Sequence, residues 1–382
     1  MNEQPTITWT ENDETRTALW RSEAALPPPK RVVVADDTIT ADDAYHLACE
    51  GTAILWRGDF QNARQLLLAM ARRVDRKPNK PKKPAKKDAP AAAPADIFHR
   101  HRLAQSQRAR TLGMLLLPFD ADYTVPLRRA PDVKLACSEA YGPGGQAFVA
   151  SLRELLGLIG AHEWRKNGIA ITALDARIHP HYGVFAPVRN EYLQLVAKAP
   201  LAKKTLAFDI GTGTGVLAAL LAKRGVKRIV ATELDPRALA CARENIERLG
   251  LSAQVEVVQQ DLFPPGRAPL VVCNPPWVPA RASAPIERAI FDPESRMLRA
   301  FVTGLADHLD AGGEGWLVLS DLAEHLGLRS RPELLAMIAA AGLTVLDRTD
   351  IRPEHPKAND ASDPLHAARA AEITSLWRLA AR

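Results

Sequence analysis

Residues 205–236 read TLAFDIGTGTGVLAALLAKRGVKRIVATELDP. Thr205–Ile210 is a short apolar run and predicts a strand. Gly211–Gly215 is a glycine loop, Val216–Arg224 a helix and Arg228–Glu233 a second strand. A chain that leaves a strand through glycines and enters a helix can turn tightly and bring its backbone close to a ligand. The loop does not fit the dinucleotide fingerprint, because Val216 stands where the third glycine belongs. No Gly-Lys-Ser/Thr is present after it, which excludes a nucleoside-triphosphate loop.

Beyond this stretch, a helix over Pro236–Leu249 begins with proline in its first turn, where the missing N–H costs nothing. Val255–Gln259, Leu270–Cys273 and Gly315–Ser320 predict further strands. Helices are expected over Glu294–His308 and Pro332–Ala341. Leu343–Thr349 and Ile373–Leu379 close the chain as two strands with no helix between them. Alternating strands and helices imply a parallel sheet, to which the final hairpin adds an antiparallel edge strand. Upstream the pattern is less regular. GTAILW (51–56) predicts a strand and Asn62–Val74 an amphipathic helix. FHRHRLAQSQRARTLGMLLLPF (98–119) predicts a basic helix running into a strand, and GQAFVASLRELLGLIG (145–160) another amphipathic helix. The expected organisation is an amino-terminal α/β segment (1–71), a Lys/Pro/Ala-rich linker (72–95), the remainder of that domain (96–180) and a second domain (181–382).

The 382 residues carry a formal net charge of +6, and its location matters more than its size. RRVDRKPNKPKKPAKK (72–87) alone carries +8, so the rest of the chain carries −2. Such a tract has too few apolar groups to offset the entropy of ordering, and predicts an extended linker. It is either a solvated hinge or a contact for a phosphate backbone. No apolar run reaches the roughly 18 residues of a membrane span. The polar amino terminus does not read as a secretory signal. Cys49, Cys137, Cys241 and Cys273 lack paired spacing, which suits free thiols in a cytoplasmic protein. No metal site is expected. His99 and His101 would point to different sides of a helix, and His179 and His181 have no acidic or cysteine neighbour in the sequence.

The second strand of the opening stretch ends on Glu233. A carboxylate there stands at the carboxyl edge of the sheet and can accept the hydroxyls of a ribose; it can also be a surface or helix-start acid. Asp261, after the third strand, is placed to meet an adenine amino group, or simply caps a turn. The fourth strand ends in VVCNPPW (271–277). Proline donates no ladder hydrogen bond and stiffens the backbone around it, so stability alone does not explain this ending.

Together these residues resemble the class I S-adenosylmethionine-dependent methyltransferases, over roughly residues 182–382. The resemblance implies a Rossmann-like α/β fold: a seven-stranded, mostly parallel sheet with helices on both faces, preceded here by a smaller α+β amino-terminal domain. It implies S-adenosylmethionine as cofactor, held by Asp209, Gly211, Thr212, Gly213, Thr214 and Gly215. Glu233 with Leu234 would take the ribose, and Asp261 with Leu262 the adenine. Asn/Asp-Pro-Pro-aromatic at this place resembles the signature of enzymes that methylate a nitrogen on a planar group. Asn274, Pro275, Pro276 and Trp277 would then be the catalytic set, with Asn274 also bordering the cofactor. The lone pair of an amide or exocyclic amine is delocalised and poorly nucleophilic. Hydrogen bonds from its N–H groups to the Asn274 side-chain oxygen and the Pro275 carbonyl would favour a more tetrahedral nitrogen. Trp277 can stack on the acceptor.

HPHYGVFAPVRNEYLQLV (179–196) resembles the phrase before the glycine loop in the HemK-type glutamine methyltransferases and the small-domain rRNA methyltransferases. There a proline and an aromatic residue help to cover the cofactor, which would fall on Phe185 and Pro187. The expected reaction is methylation of an exocyclic amino nitrogen of a nucleobase, in rRNA or tRNA. The alternatives are a glutamine side chain of a translation factor or ribosomal protein, and a non-catalytic module that binds the cofactor or RNA. RNA or a ribosome-associated substrate is the expected partner, with a protein substrate open. The chain is expected to be a monomer with no membrane association.

Overall fold

The computed structural model describes residues 5–76, 92–354 and 360–382. Residues 77–91, most of the expected linker, lie outside them. The chain divides into two compact units, residues 1–92 with 100–163, and 93–99 with 164–382.

In the first unit, β1 (Thr6–Glu11), β2 (Glu14–Trp20), β3 (Arg31–Ala35), β4 (Thr52–Trp56), β5 (Leu115–Phe119) and β6 (Phe148–Ser151) form a mixed sheet in the order β1-β2-β6-β5-β4-β3. Helices α1 (Ala41–Cys49), α2 (Phe60–Val74) and α4 (Lys134–Tyr141), with most of α3 (Pro94–Leu112) and of α5 (Leu152–Asn167), belong to this unit. Ile7, Trp9, Trp20, Leu55, Leu116 and Val149 pack on one face of this sheet. The helix expected over 145–160 begins only at Leu152. Phe148–Ser151 is instead a central strand, antiparallel to β5 and parallel to β2. Tertiary pairing of a buried apolar run overrides the helical period there.

In the second unit a small hairpin, β7 (Ile169–Ile171) with β8 (Ala176–Ile178), precedes α6 (Tyr192–Lys198). Then come β9 (Leu206–Ile210), α7 (Val216–Lys223), β10 (Arg228–Glu233), α8 (Pro236–Arg248), β11 (Val255–Gln259) and β12 (Ala268–Cys273). The rest is α9 (Arg296–His308), β13 (Leu309–Ser320), α10 (Leu322–His325), α11 (Arg331–Ala340), β14 (Leu343–Ile351), α12 (His366–Ala371) and β15 (Thr374–Ala381). The seven strands lie in the order β11-β10-β9-β12-β13-β15-β14. Period-two alternation splits their side chains between two cores. Ala207, Ala231, Val272 and Val318 face the α6–α8 side, while Phe208, Val230, Val271 and Leu317 face α9 and α11.

Two expectations for the carboxyl-terminal strands are corrected. A short helix, α12, stands between them. The antiparallel strand is not at the edge either. β15 inserts between β13 and β14 and runs antiparallel to both, leaving β14 outermost. Burial explains the choice: β15 is almost wholly buried, whereas Asp347, Arg348 and Asp350 line an exposed β14. Charged side chains blunt an edge that could otherwise pair with another chain.

The strand order reverses at β9, which pairs with β10 on one side and β12 on the other. Crevices at such reversals, outside the carboxyl ends of the strands, are where open α/β sheets take ligands. Ile210 pairs with Cys273, so the glycine loop and Asn274-Pro275-Pro276-Trp277 leave adjacent strand ends side by side.

Candidate active site

The glycine loop is built on Asp209. Its carboxyl group is buried, and Oδ2 accepts hydrogen bonds from Thr212 Oγ1 at 2.6 Å and the Ala218 backbone N–H at 3.0 Å. Among the described residues, Oδ1 is buried without a hydrogen-bond partner. Burial pushes the Asp209 pKa up to about 6 despite those bonds, and the charge of Glu233 adds to the rise. Thr212 is held again by its own N–H, which donates to Thr232 O at 2.9 Å. Gly211, Gly213 and Gly215 have φ of 68°, 58° and 81°, left-handed values that favour glycine. A Cβ at Gly211 would collide with the Met297 terminal methyl group. At Gly213 it would meet nothing within 4 Å, so this part of the loop opens on free space.

Glu233, at the end of β10, clasps that loop. Its Oε2 accepts from Gly213 N at 3.0 Å, and Oε1 from Leu234 N at 2.9 Å and Asp235 N at 3.0 Å. Three of roughly four carboxylate lone-pair positions are thus taken by backbone amides. Burial pushes the carboxyl pKa up while these donors pull it down. Leu234 is exposed. Asp261 is also exposed, with Arg296 Nη2 at 4.0 Å from its Oδ2. Leu262 has φ of 57°, and its carbonyl accepts from Thr232 Oγ1 at 2.6 Å. Phe185 is half-buried and Pro187 buried, in the segment before α6.

Three features of that segment escaped the sequence reading. Asn245, buried on α8, donates Nδ2 to His179 O and Thr214 O, each at 3.1 Å, and accepts from His179 N at 2.8 Å. One amide therefore staples residue 179 to the glycine loop. His181 Nε2 lies 2.8 Å from Glu244 Oε2, and the His181 backbone N–H donates to Cys241 Sγ at 3.4 Å. The acidic and cysteine neighbours absent from the local sequence are thus supplied by α8. Among the described residues, no group of three or more His, Cys, Asp or Glu is arranged to hold a metal. Arg189, finally, is held by buried Glu372, which also accepts from Ser320 Oγ.

At the end of β12, Trp277 Nε1 donates to Asn274 Oδ1 at 2.8 Å. Pro275 is buried, and Asn274, Pro276 and Trp277 are half-buried. The Trp277 ring meets Tyr192 edge-on, with centroids 6.4 Å apart, and the Arg189 guanidinium lies 5.8 Å from its centroid. Its carbonyl accepts from the buried Arg329 at 3.4 Å. Beyond it the chain is tied back on itself: Val278 N donates to Ile290 O, and Asp292 N to Val278 O. Asp292 then caps α9 by accepting from Met297 N at 2.7 Å. The same methionine side chain lies against Gly211. Asn274, Trp277 and the glycine loop are thereby framed by one set of contacts.

The family described as Methyltransferase small domain matches residues 176–331, which contain the glycine loop, Glu233, Asp261 and NPPW. The release factor glutamine methyltransferase of Deinococcus radiodurans is 31% identical over 217 residues, covering 52% of this chain and 69% of that protein. The enzyme of the same description from Cereibacter sphaeroides is 32% identical over 175 residues, 42% of this chain and 58% of its own. A tRNA1(Val) (adenine(37)-N6)-methyltransferase of Bacteroides thetaiotaomicron is 33% identical over 126 residues, 31% of this chain and 53% of its own. The chain thus spans little more than half the length of two of these three relatives. With a seven-stranded sheet, a glycine loop at its order reversal and a carboxylate closing on that loop, the chain belongs to the class I S-adenosylmethionine-dependent methyltransferases.

Proposed function

We propose that this chain methylates an exocyclic amino nitrogen of a nucleobase in rRNA or tRNA. The observation that carries the reading is Asn274, which leaves β12 beside the glycine loop because Cys273 pairs with Ile210. The cradle fits the cofactor: the space at Gly213 is open, and Glu233 stands against it with acceptor capacity left. Gly211, Gly213 and Gly215, with Asp209, Thr212 and Thr214 shaping the loop, would hold the methionine part. Glu233 and Leu234 would take the ribose, Asp261 and Leu262 the adenine, with Phe185 and Pro187 covering them. When bound, S-adenosylmethionine supplies an electrophilic methyl group on a sulfonium.

Asn274 Oδ1 and the Pro275 carbonyl would accept the two amine N–H bonds, turning the nitrogen lone pair away from the ring. Trp277 would stack on the base, a contact worth about 1–3 kcal/mol. Pro275 and Pro276 keep the loop in one shape, so little freedom is lost on binding. The lysine tract at 72–87 and the basic residues of α3 would attract the phosphate backbone. A monomer in the cytoplasm, acting on a translation component, completes the reading.

The relatives favour a second acceptor. Two of those described above are named for glutamine methylation, and a glutamine amide presents the same planar N–H2 to Asn274. The test supplies methyl-tritiated S-adenosylmethionine and the purified protein to a lysate of cells lacking it. Label in RNA nucleosides supports the base, and label in glutamine residues the second acceptor. No label in either, from folded protein, overturns both.

A further inference from the structure

The Asn274 amide is held by its oxygen. Its Oδ1 receives the Trp277 indole N–H at 2.8 Å. An indole nitrogen only donates, so chemistry requires the amide oxygen, and not its NH2, on that side. The clamp is not free to drift. Tyr192 is 3% exposed and begins α6, whose Leu193 and Val196 are fully buried. Trp277 is fixed by the edge-on Tyr192 ring, by Arg189 and, through its carbonyl, by Arg329.

We propose that Trp277 is a positioning residue that locks the Asn274 amide with its oxygen available to the acceptor nitrogen. This rests on the N-methylation reading above. An asparagine amide is nearly symmetric in shape but opposite in polarity at its two ends. Flipped, it would turn an NH2 group towards the acceptor's own N–H2, setting donor against donor and leaving the lone pair delocalised. Clamping the oxygen with an obligate donor removes the flipped state before the acceptor arrives. A carbonyl oxygen has two lone pairs, so the indole bond leaves one for the acceptor. A phenylalanine at 277 could stack on a base yet could not set the amide. The indole thus serves two purposes, one through its face and one through its N–H.

The test separates these purposes. Acceptor is the lysate of cells lacking the protein, and the readout is the initial rate of tritium transfer at saturating S-adenosylmethionine. Trp277→Phe should lower that rate about tenfold. Cofactor affinity by calorimetry should stay within about twofold, since the Trp277 ring does not belong to the cofactor set. In an Asn274→Asp background the two side-chain oxygens are equivalent and orientation no longer matters. There the change should cost less than about twofold. Equal losses in both backgrounds would assign Trp277 to stacking or packing alone and overturn the lock. A second measurement needs no acceptor. Nitrogen-15 labelling gives one indole N–H signal for each of the seven tryptophans, and the signal lost in Trp277→Phe is that of Trp277. In Asn274→Ala it should move upfield and exchange faster with water. An unmoved signal overturns the lock. A wild-type protein that labels nothing while the signal moves as expected removes the N-methylation reading and leaves the clamp in place.

Discussion

Gly213 and Glu233 are joined by a 3.0 Å hydrogen bond from the glycine amide to the carboxylate, so the glycine loop and the end of β10 form one unit. On the proposed reading, Glu233→Ala removes the ribose acceptor and releases the loop together. We expect the cofactor dissociation constant to rise at least about tenfold, the equivalent of one charge-assisted hydrogen bond. Calorimetric titration of S-adenosylhomocysteine measures it. Unchanged affinity with an intact fold would place the ribose elsewhere.

Gly213 offers a separation of strain from occupancy. Its φ of 58° and the 68° of Gly250 are both left-handed, and a Cβ at either position meets nothing within 4 Å. Alanine at each should cost about 1–2 kcal/mol of stability through backbone strain alone. Only Gly213→Ala puts a methyl group into the space opposite Glu233. Cofactor affinity should then fall in Gly213→Ala and stay unchanged in Gly250→Ala. Equal affinities in the two variants would show that this space is not the cofactor's.

What could be read from the chain alone was what is local. The turn at Gly211–Gly215, the strand ends at Glu233 and Cys273, and the break at NPPW come from φ preferences, period-two alternation and the missing proline N–H. Contacts that depend on distant segments were illegible. Asn245 meets His179 66 residues away, and Arg189 meets Glu372 183 residues away, and nothing in either neighbourhood marks the partner. The place of β15 was missed for a related reason. Adjacent strands in sequence suggest a hairpin with a free outer strand, but the more apolar of the two took the interior position.

Asn245 holds four backbone atoms with one side chain: Nδ2 reaches the carbonyls of His179, Thr214 and Cys241, and Oδ1 the N–H of His179. Asn245→Leu keeps the size and takes the amide away from the His179 N–H and the Thr214 carbonyl. Unsatisfied buried polar groups cost about 1–3 kcal/mol each, so a loss of at least about 2 kcal/mol is expected. Denaturant unfolding should show it as a lower midpoint. A midpoint unchanged from wild type would mean that water replaces the amide and that the staple is dispensable.

Asp209 makes the pH dependence specific. Its folded pKa of about 6 lies above the ordinary 3.8, because burial disfavours the charged form. Linkage gives the sign. Below about pH 4 the group is neutral in both states and its contribution to stability is fully present. As pH rises from about 4 through 6 the unfolded chain ionises more readily than the folded one, and that contribution is lost. A shift of this size corresponds to on the order of 3 kcal/mol. Asparagine at 209 keeps an acceptor for Thr212 and Ala218 and carries no charge at any pH. The difference in stability, wild type minus Asp209→Asn, should therefore fall between pH 4 and pH 6 and level off above about pH 7. Denaturant midpoints at half-unit pH intervals measure it. Two parallel curves would show that Asp209 is ionised in the folded protein throughout, its unpartnered Oδ1 stabilised by something other than the side chains around it.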